Sequence, residues 1–143
     1  MDLVFFLRDR LKFAKYFYSN ASKPFTNIVA AIENEEPPFV PDYDESEEPP
    51  YLQEWQDAKT GLESVGLTAL SMVASSLQLF LNDLAHLRHE RRRGKEYKRK
   101  HANGWFHAYR KIFEDVGLDM EGCPADLDLI EQAVLARNRG QHP

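Results

Sequence analysis

The feature that most restricts how this chain can fold is a run without any charged residue, residues 65–81. The run lies inside a longer stretch, residues 51–92, in which apolar residues recur at helical spacing for about seven turns. Within the uncharged run, residues on the remaining sides of this helix are also apolar or only weakly polar. The pattern therefore predicts a helix that is central to the fold or covered by a second subunit. The seventeen-residue length of the run, and its hydroxyl and amide side chains, favour a buried helix over a membrane span.

Helical spacing also dominates the rest of the chain. The further predicted helices have apolar residues three and four positions apart, and they cover residues 2–19, 23–36, 104–116 and 126–137. In the helix at 104–116 these residues are interpreted as core residues and not as base-stacking ones, namely Trp105, Phe106, Tyr109, Ile112, Phe113 and Val116. With 143 residues, of which 43% are hydrophobic, the chain suffices for one domain with a modest core. We therefore expect a single all-α domain, residues 1–143, built as an antiparallel helical bundle of about five helices.

A few residues mark helix ends, kinks or close contacts. Ser22 is a candidate N-cap for the second helix, and Asp126 opens the last one. Gly61 and Gly66 weaken the long helix near its start, which predicts a kink or a close helix contact there. The first helix has one wide apolar face, formed by Leu3, Phe6, Leu7, Leu11, Phe13, Ala14, Phe17 and Tyr18. Arg10 falls in the middle of this face. It either extends its charge to water or pairs with an acid, or, as the alternative, lines a phosphate site.

Residues 35–50 form an acidic, proline-rich linker. Five prolines and seven acids in sixteen residues cannot build a packed element. Phe39, Val40 and Tyr43 are candidates to anchor the linker against the rest of the chain. A solvated loop is the favoured interpretation, and the alternative is an acidic loop that lies over a basic RNA groove.

The net charge of −5 hides an uneven distribution. Eight acids and no bases lie between Glu33 and Glu48, whereas eight Lys or Arg and two Glu lie between Arg88 and Lys100. Without those eight acids the net charge becomes +3, so an RNA partner is compatible with the composition. The basic run is either a solvated turn or a patch that contacts phosphates, with Tyr97 available for stacking. Its RNA-binding candidates are Arg91, Arg92, Arg93, Lys98, Arg99 and Lys100.

The C-terminal segment carries the residues best suited to chemistry. Arg137 and Asn138 follow the apolar positions of the last predicted helix, and His142 comes shortly after them. Gly140 predicts that the helix stops there, and Pro143 suits the first position of a new helix. Arginine is a permanent planar cation with forked donors, and histidine titrates near physiological pH. The pattern therefore predicts a site that binds and processes a phosphate.

The sequence Arg137-Asn138-x-x-x-His142 resembles the signature of the HEPN superfamily, which has an arginine, a polar residue and a histidine a few residues later. The resemblance is close over the last third of the chain, through "EQAVLARNRGQHP", and general elsewhere. It implies a small α-helical bundle and a metal-independent endoribonuclease that dimerises to bring two motifs together. A further helix after the motif would follow Pro143. Many members are toxins or antiphage effectors, so we expect a toxin–antitoxin or antiviral defence role.

The resemblance also implies a role for each motif residue. His142 would be the general acid/base, Arg137 would stabilise the phosphate, and Asn138 would orient the other two. Arg139 is a further candidate for RNA contact. Such cleavage leaves a 2′,3′-cyclic phosphate and relies on proton transfer and fixed donors, with no metal or other cofactor. The alternative for the same residues is a helix C-terminus at which Arg137 and His142 complement the helix dipole.

Two other classes of function stay open. One is a non-catalytic helical module that dimerises or docks a partner protein, and the other is a nucleotide- or RNA-binding regulator without cleavage. For the ribonuclease, the expected partners are a second copy of the chain, RNA, and an antitoxin or regulatory protein, with no membrane. The single cysteine, Cys123, is interpreted as a small loop residue. Together with the absence of a signal peptide, it favours the cytoplasm.

One pair of histidines has the spacing of metal ligands. His86 and His89 lie three residues apart on the long helix, so both imidazoles face the same side. Zinc in proteins takes three or four protein ligands, and the sequence brings no third ligand near this pair. No metal site is therefore predicted.

Overall fold

The computed structural model describes residues 2–41, 49–88, 105–115, 117–118 and 122–141, with the backbone alone at 87–88 and 138–141. The helices in this part of the chain are α1 (Leu3–Ala21), α2 (Lys23–Glu33), α3 (Leu52–Arg88), α4 (Trp105–Asp115) and α5 (Leu127–Gln141). The described residues contain no strand, so the prediction of an all-α chain is confirmed.

The chain folds as two compact units. Unit 1 comprises Met1–Lys12 and Leu70–Pro143, and unit 2 comprises Phe13–Ala69. Helices α1 and α3 contribute residues to both units, whereas α2 belongs to unit 2, and α4 and α5 belong to unit 1. Arg137 therefore lies in unit 1, and the ends of the linker lie in unit 2.

The core of unit 1 forms around α4. This helix buries five of its eleven residues, because its apolar residues recur three and four positions apart on one face. Tyr109, Ile112 and Phe113 pack with Ala85 of α3. The prediction that the aromatic residues of this helix are core residues is confirmed at the described positions. The partly buried residues that complete the cluster are Leu81, Leu84 and Trp105.

Unit 2 is held by contacts between α2 and the first part of α3. The ring of Phe25 lies so close to Gly61 that a side chain at that position would collide with it. The indole Nε1 of Trp55 donates a hydrogen bond to Glu33 Oε1, at 3.0 Å. The expected close helix contact is therefore present at Gly61, whereas the space beside Gly66 is open.

The two described ends of the linker contact each other through Tyr51. The ring of Phe39 packs edge-on against the ring of Tyr51, with centroids 5.2 Å apart. The hydroxyl of Tyr51 donates to the carbonyl of Val40 at 3.1 Å, while the Val40 side chain is exposed. Of the three predicted anchors, Phe39 packs, Val40 contributes its backbone, and Tyr43 lies outside the described residues.

The junction of α1 and α2 differs from the prediction. Helix α1 continues to Ala21 instead of ending near residue 19, and α2 begins at Lys23. Ser22 does not cap α2 through its side chain, because its hydroxyl donates back to the carbonyl of Tyr18 at 2.7 Å. The serine thus satisfies the end of α1 instead of the start of α2.

Helix α3 is less buried than its sequence predicts. The residues of α3 that the described contacts bury are small, namely Ala58, Ala74, Ser76 and Ala85. The span Leu52–His86 has the length and composition of a membrane-crossing helix, and only 17% of its most apolar window is buried. The expectation of a buried central helix is therefore wrong for most of the apolar side chains of α3, which remain partly or fully accessible.

Candidate functional site

Helix α5 positions Arg137 on the side of the helix that faces the interior of unit 1. The helix begins after Asp126, whose carboxylate Oδ1 accepts the backbone N–H of Leu129 at 2.9 Å, as an N-cap does. Val134 is buried, and Arg137 follows it by three residues on the same face. The Arg137 side chain is partly buried, and its Nε is inaccessible to solvent. Arg137 is therefore part of a packed helix face.

An ion-pair group fixes the start of α5 against α4. Arg110 Nη1 of α4 lies 3.4 Å from Asp128 Oδ1 and 3.7 Å from Glu131 Oε2 of α5. Arg110 and Glu131 are 29% and 34% exposed, so their pair is only partly screened by water, whereas Asp128 is 83% exposed and its pair is largely screened. The sequence pattern did not single out Arg110. The acids three residues apart at the start of α5 were the available signal, but nothing in the sequence says which cation they face.

The predicted helix break at Gly140 is wrong. Helix α5 continues through Gly140 to Gln141, so Arg137 lies one turn before the last described residue of the helix. On an unbroken helix, Asn138 lies about 100° and Arg139 about 160° around the axis from Arg137. Positions 137 and 139 therefore lie on nearly opposite sides of the α5 backbone.

Much of the predicted site lies outside the described part of the chain. His142 lies there, as does the basic run with Arg91, Arg92, Arg93, Lys98, Arg99 and Lys100. Asn138 and Arg139 are described by their backbone alone. Arg137 is the predicted site residue whose side-chain surroundings are defined.

Arg10 and His86, for which the sequence suggested a phosphate site and a metal site as alternatives, both lie in unit 1. Arg10 Nε donates to the hydroxyl of Ser76 at 3.4 Å, and its guanidinium lies 5.4 Å from the centroid of the Phe6 ring. These contacts agree with a stem that runs along the helix surface, with a hydroxyl and a ring as its described neighbours. His86 is exposed, His89 lies outside the described residues, and the described residues contain no group of three His, Cys, Asp or Glu that could hold a metal.

Unit 1 also contains an apolar cavity of about 180 Å³ next to α5. Helices α1, α3 and α5 each contribute aliphatic side chains to its wall, and no polar residue lines it. Ala133 and Val134 belong to this wall, so the cavity is bordered by the helix face that continues to Arg137. The complete lining is Leu7, Leu11, Leu70, Val73, Ala74, Leu77, Ile130, Ala133 and Val134.

Two aromatic residues of unit 2 are more exposed than the sequence indicated. Phe13 was assigned to the wide apolar face of the first helix, yet it is 56% exposed, and Tyr16 beside it is 65% exposed. Their rings are stacked, with centroids 6.5 Å apart and planes 30° from parallel. Leu3 and Ala14 mark the side of α1 that packs, and Phe13 lies away from the line that joins them. This position is the sequence signal that could have indicated the exposure of Phe13.

Comparison with known proteins yields no relative for this chain. No family model matches it, no curated protein is similar to it, and no solved structure matches it.

Proposed function

We propose that this chain is a metal-independent endoribonuclease of the HEPN type that acts on RNA as a homodimer in the cytoplasm. The observation that carries the proposal is the setting of Arg137 on the packed face of α5, directly before Asn138. An arginine whose stem is fixed by packing presents its charge in one place, as phosphate stabilisation requires. The all-helical chain agrees with a HEPN-like antiparallel bundle of about five helices, which belongs to the same proposal.

The proposed chemistry divides proton transfer and charge stabilisation between two residues. His142 accepts the proton of the ribose 2′-OH, whose oxygen attacks the adjacent phosphorus, and a second imidazole protonates the leaving 5′-oxygen. Arg137 stabilises the charge that builds on the phosphate, and Asn138 orients both side chains by hydrogen bonds. The P–O5′ bond breaks as the P–O2′ bond forms, which leaves a 2′,3′-cyclic phosphate and a 5′-hydroxyl.

Helix α5 continues without a break to Gln141, and this geometry supports an active site that is built from two chains. Five residues of helix turn through about 140° and advance about 7.5 Å. Continued helical geometry would therefore keep His142 away from the phosphate that Arg137 of the same chain contacts. A second copy that brings its own motif supplies the missing groups, including the second imidazole.

Exposed leucines offer surfaces for such a dimer. Leu67 and Leu79 of α3 are 38% and 43% exposed, and Leu129 and Leu135 of α5 are 61% and 49% exposed. Leucines on a regular helix surface suit helix–helix contact, because the ridges of one helix pack into the grooves of another. The same leucines favour a second candidate function, a non-catalytic module that dimerises or docks a partner protein.

The decisive experiment is incubation of the purified protein with RNA in EDTA, followed by analysis of the product ends. We expect cleavage with 2′,3′-cyclic phosphate ends. His142→Ala should slow cleavage by about 10² to 10⁴ and leave folding and RNA binding intact. Arg137→Ala should slow cleavage comparably and also weaken binding, and Asn138→Ala should have a milder effect.

Arg139→Ala is the matched control, because it removes the same charge from the opposite side of α5. It should weaken RNA binding at most and leave the rate at saturating RNA unchanged. Wild-type protein that never cleaves RNA, or a His142→Ala protein as active as wild type, would refute the nuclease and leave the docking module. As an effector of the toxin or antiphage kind, the enzyme would be held in check by an antitoxin or regulatory protein.

A further inference from the structure

One side of the second half of α1 presents a line of exposed residues with the groups that contact nucleotides. Phe13, Tyr16 and Asn20 are spaced three and four residues apart, so they follow one another along a single helix face. Lys23, at the start of α2, continues this line. All of these residues belong to unit 2, and all are exposed. Two rings, an amide and an ammonium group are therefore available to one extended ligand.

Hydrogen bonds hold the polar end of this line in place. Lys23 Nζ donates to Asn20 Oδ1 at 3.3 Å, and Asn20 Nδ2 donates to the carbonyl of Tyr16 at 2.8 Å. The two rings contact each other, as their stacking shows. The surface is therefore organised before any ligand binds, which lowers the entropy cost of binding.

The charge of this segment suits a polyanion. Residues 13–32 contain two lysines, Lys15 and Lys23, and no acid. The acids of unit 2 begin only at Glu33. Both lysines are exposed. Lys15 lies on the other side of α1 from the two rings, so a ligand that follows the line meets the charge of Lys23 and no repelling carboxylate within the segment.

We propose that Phe13, Tyr16 and Asn20, with Lys23, form a platform that binds single-stranded RNA. Bases stack on the two rings, the Asn20 amide bonds to a base edge, and the Lys23 ammonium group contacts a phosphate. The platform rests on the proposed ribonuclease and adds to it residues that hold the substrate at a distance from the motif in α5. We call these four residues the α1 platform.

The chemistry of the platform favours RNA over a membrane surface. Helices that lie in a membrane interface bury a broad apolar face beneath a cationic one. The α1 platform instead mixes rings with an amide and a phenol hydroxyl on one line. Base stacking needs an open ring face, and base edges need donors and acceptors, so these groups match unpaired nucleotides.

The test measures binding of a fluorescent, 2′-O-methylated 12-nucleotide oligouridine, which has no free 2′-OH and cannot be cleaved by the proposed reaction. The full chain is titrated at several salt concentrations. Phe13→Leu and Tyr16→Leu keep apolar bulk and helical preference but remove the ring, and each should weaken binding roughly 5- to 150-fold. Tyr16→Phe keeps the ring and should bind like wild type. Lys23→Gln should lower the salt slope by about 0.7.

Matched controls come from α1 itself and from α3. Tyr18→Leu removes an aromatic ring that is 48% exposed but lies on the opposite side of α1 from the platform, and it should bind RNA like wild type. Lys59→Gln removes a lysine whose Nζ lies 5.0 Å from the Trp55 ring, and it should leave the salt slope unchanged. Circular dichroism and urea denaturation show whether each variant keeps the wild-type fold.

Several outcomes would overturn the platform. These are wild-type protein that does not bind the oligomer, folded leucine variants that bind it like wild type, or an equal loss of binding in Tyr18→Leu. Leucine variants that lose binding to anionic vesicles, or lose self-association, but still bind the oligomer would also overturn it. Binding that depends on the platform, in a protein that never cleaves RNA, would support the platform and refute the nuclease. RNA cleavage, together with RNA binding that is unchanged in Phe13→Leu and Tyr16→Leu, would support the nuclease and refute the platform.

Discussion

Helices α4 and α3 are both rich in apolar residues, yet they bury them in different ways. Helix α4 has eleven residues and buries three aromatic side chains, Phe106, Tyr109 and Phe113. Helix α3 has 37 residues, and its buried residues in the described part of the chain are three alanines and a serine. The larger apolar helix therefore contributes less side-chain volume to the buried core.

The angular spread of apolar residues explains this difference. In α4 they share one face, and residues such as His107 and Lys111 face water on the other. In α3 they occupy most of the circumference, so each neighbouring helix covers only part of them. Small residues are buried where neighbours approach closely, and leucines elsewhere on α3 remain accessible. The number of apolar residues in a helix thus predicts its burial less well than their arrangement around the axis.

The largest expected effect is at the α4 core. Phe113→Ala removes a ring that is 3% exposed and stacked on Tyr109, so it should lower the free energy of unfolding by about 3–5 kcal/mol. Urea denaturation with an unchanged m-value measures this loss. A loss of unfolding free energy below about 1 kcal/mol would mean that the core around α4 is not tightly packed at Phe113.

Two glycines of α3 provide a matched pair with opposite expected signs. Gly61→Ala places a methyl group against the Phe25 ring and should destabilise the fold by about 1–3 kcal/mol. Gly66→Ala meets nothing within 4 Å and should stabilise it by about 0.5–1 kcal/mol through helix propensity alone. Thermal and urea unfolding of both variants should show opposite shifts, and shifts of the same sign would refute the described packing around α3.

The smallest expected effect is at the accessible side of α3. Leu79 is 43% exposed, so Leu79→Gln should change the free energy of unfolding by no more than about 0.5 kcal/mol in dilute protein. A larger loss that appears only at high protein concentration would show that a second copy covers Leu79. A large loss of unfolding free energy at every protein concentration would place Leu79 in the core, and α3 and α4 would then not differ in the way described.

Sequence patterns were sufficient where one local signal decides the outcome. The single apolar face of α4 predicted its buried aromatic residues, and Asp126 predicted where α5 starts. The close contact at Gly61 also follows from sequence, because a helix tolerates glycine best where another group needs the space. In each case the signal lies within a few positions along the chain, although the residue that Gly61 contacts, Phe25, belongs to α2.

The sequence was insufficient where tertiary contacts outweigh a weak local preference. Glycine costs a helix only about 1 kcal/mol, so α5, packed through Val134, continues past Gly140. The register of α1 depends on which neighbours it meets, and the pattern alone assigned Phe13 to the wrong side. The ion partners of Arg110 likewise belong to a distant part of the sequence.

The cavity beside α5 makes unit 1 sensitive to hydrostatic pressure. An aliphatic lining offers water no hydrogen-bond partner, so the part of this partly open space that side chains leave unfilled disappears on unfolding. Unfolding then reduces the volume of the system, and compression favours the smaller state. Compression therefore acts directly on the packing of the helix that carries Arg137.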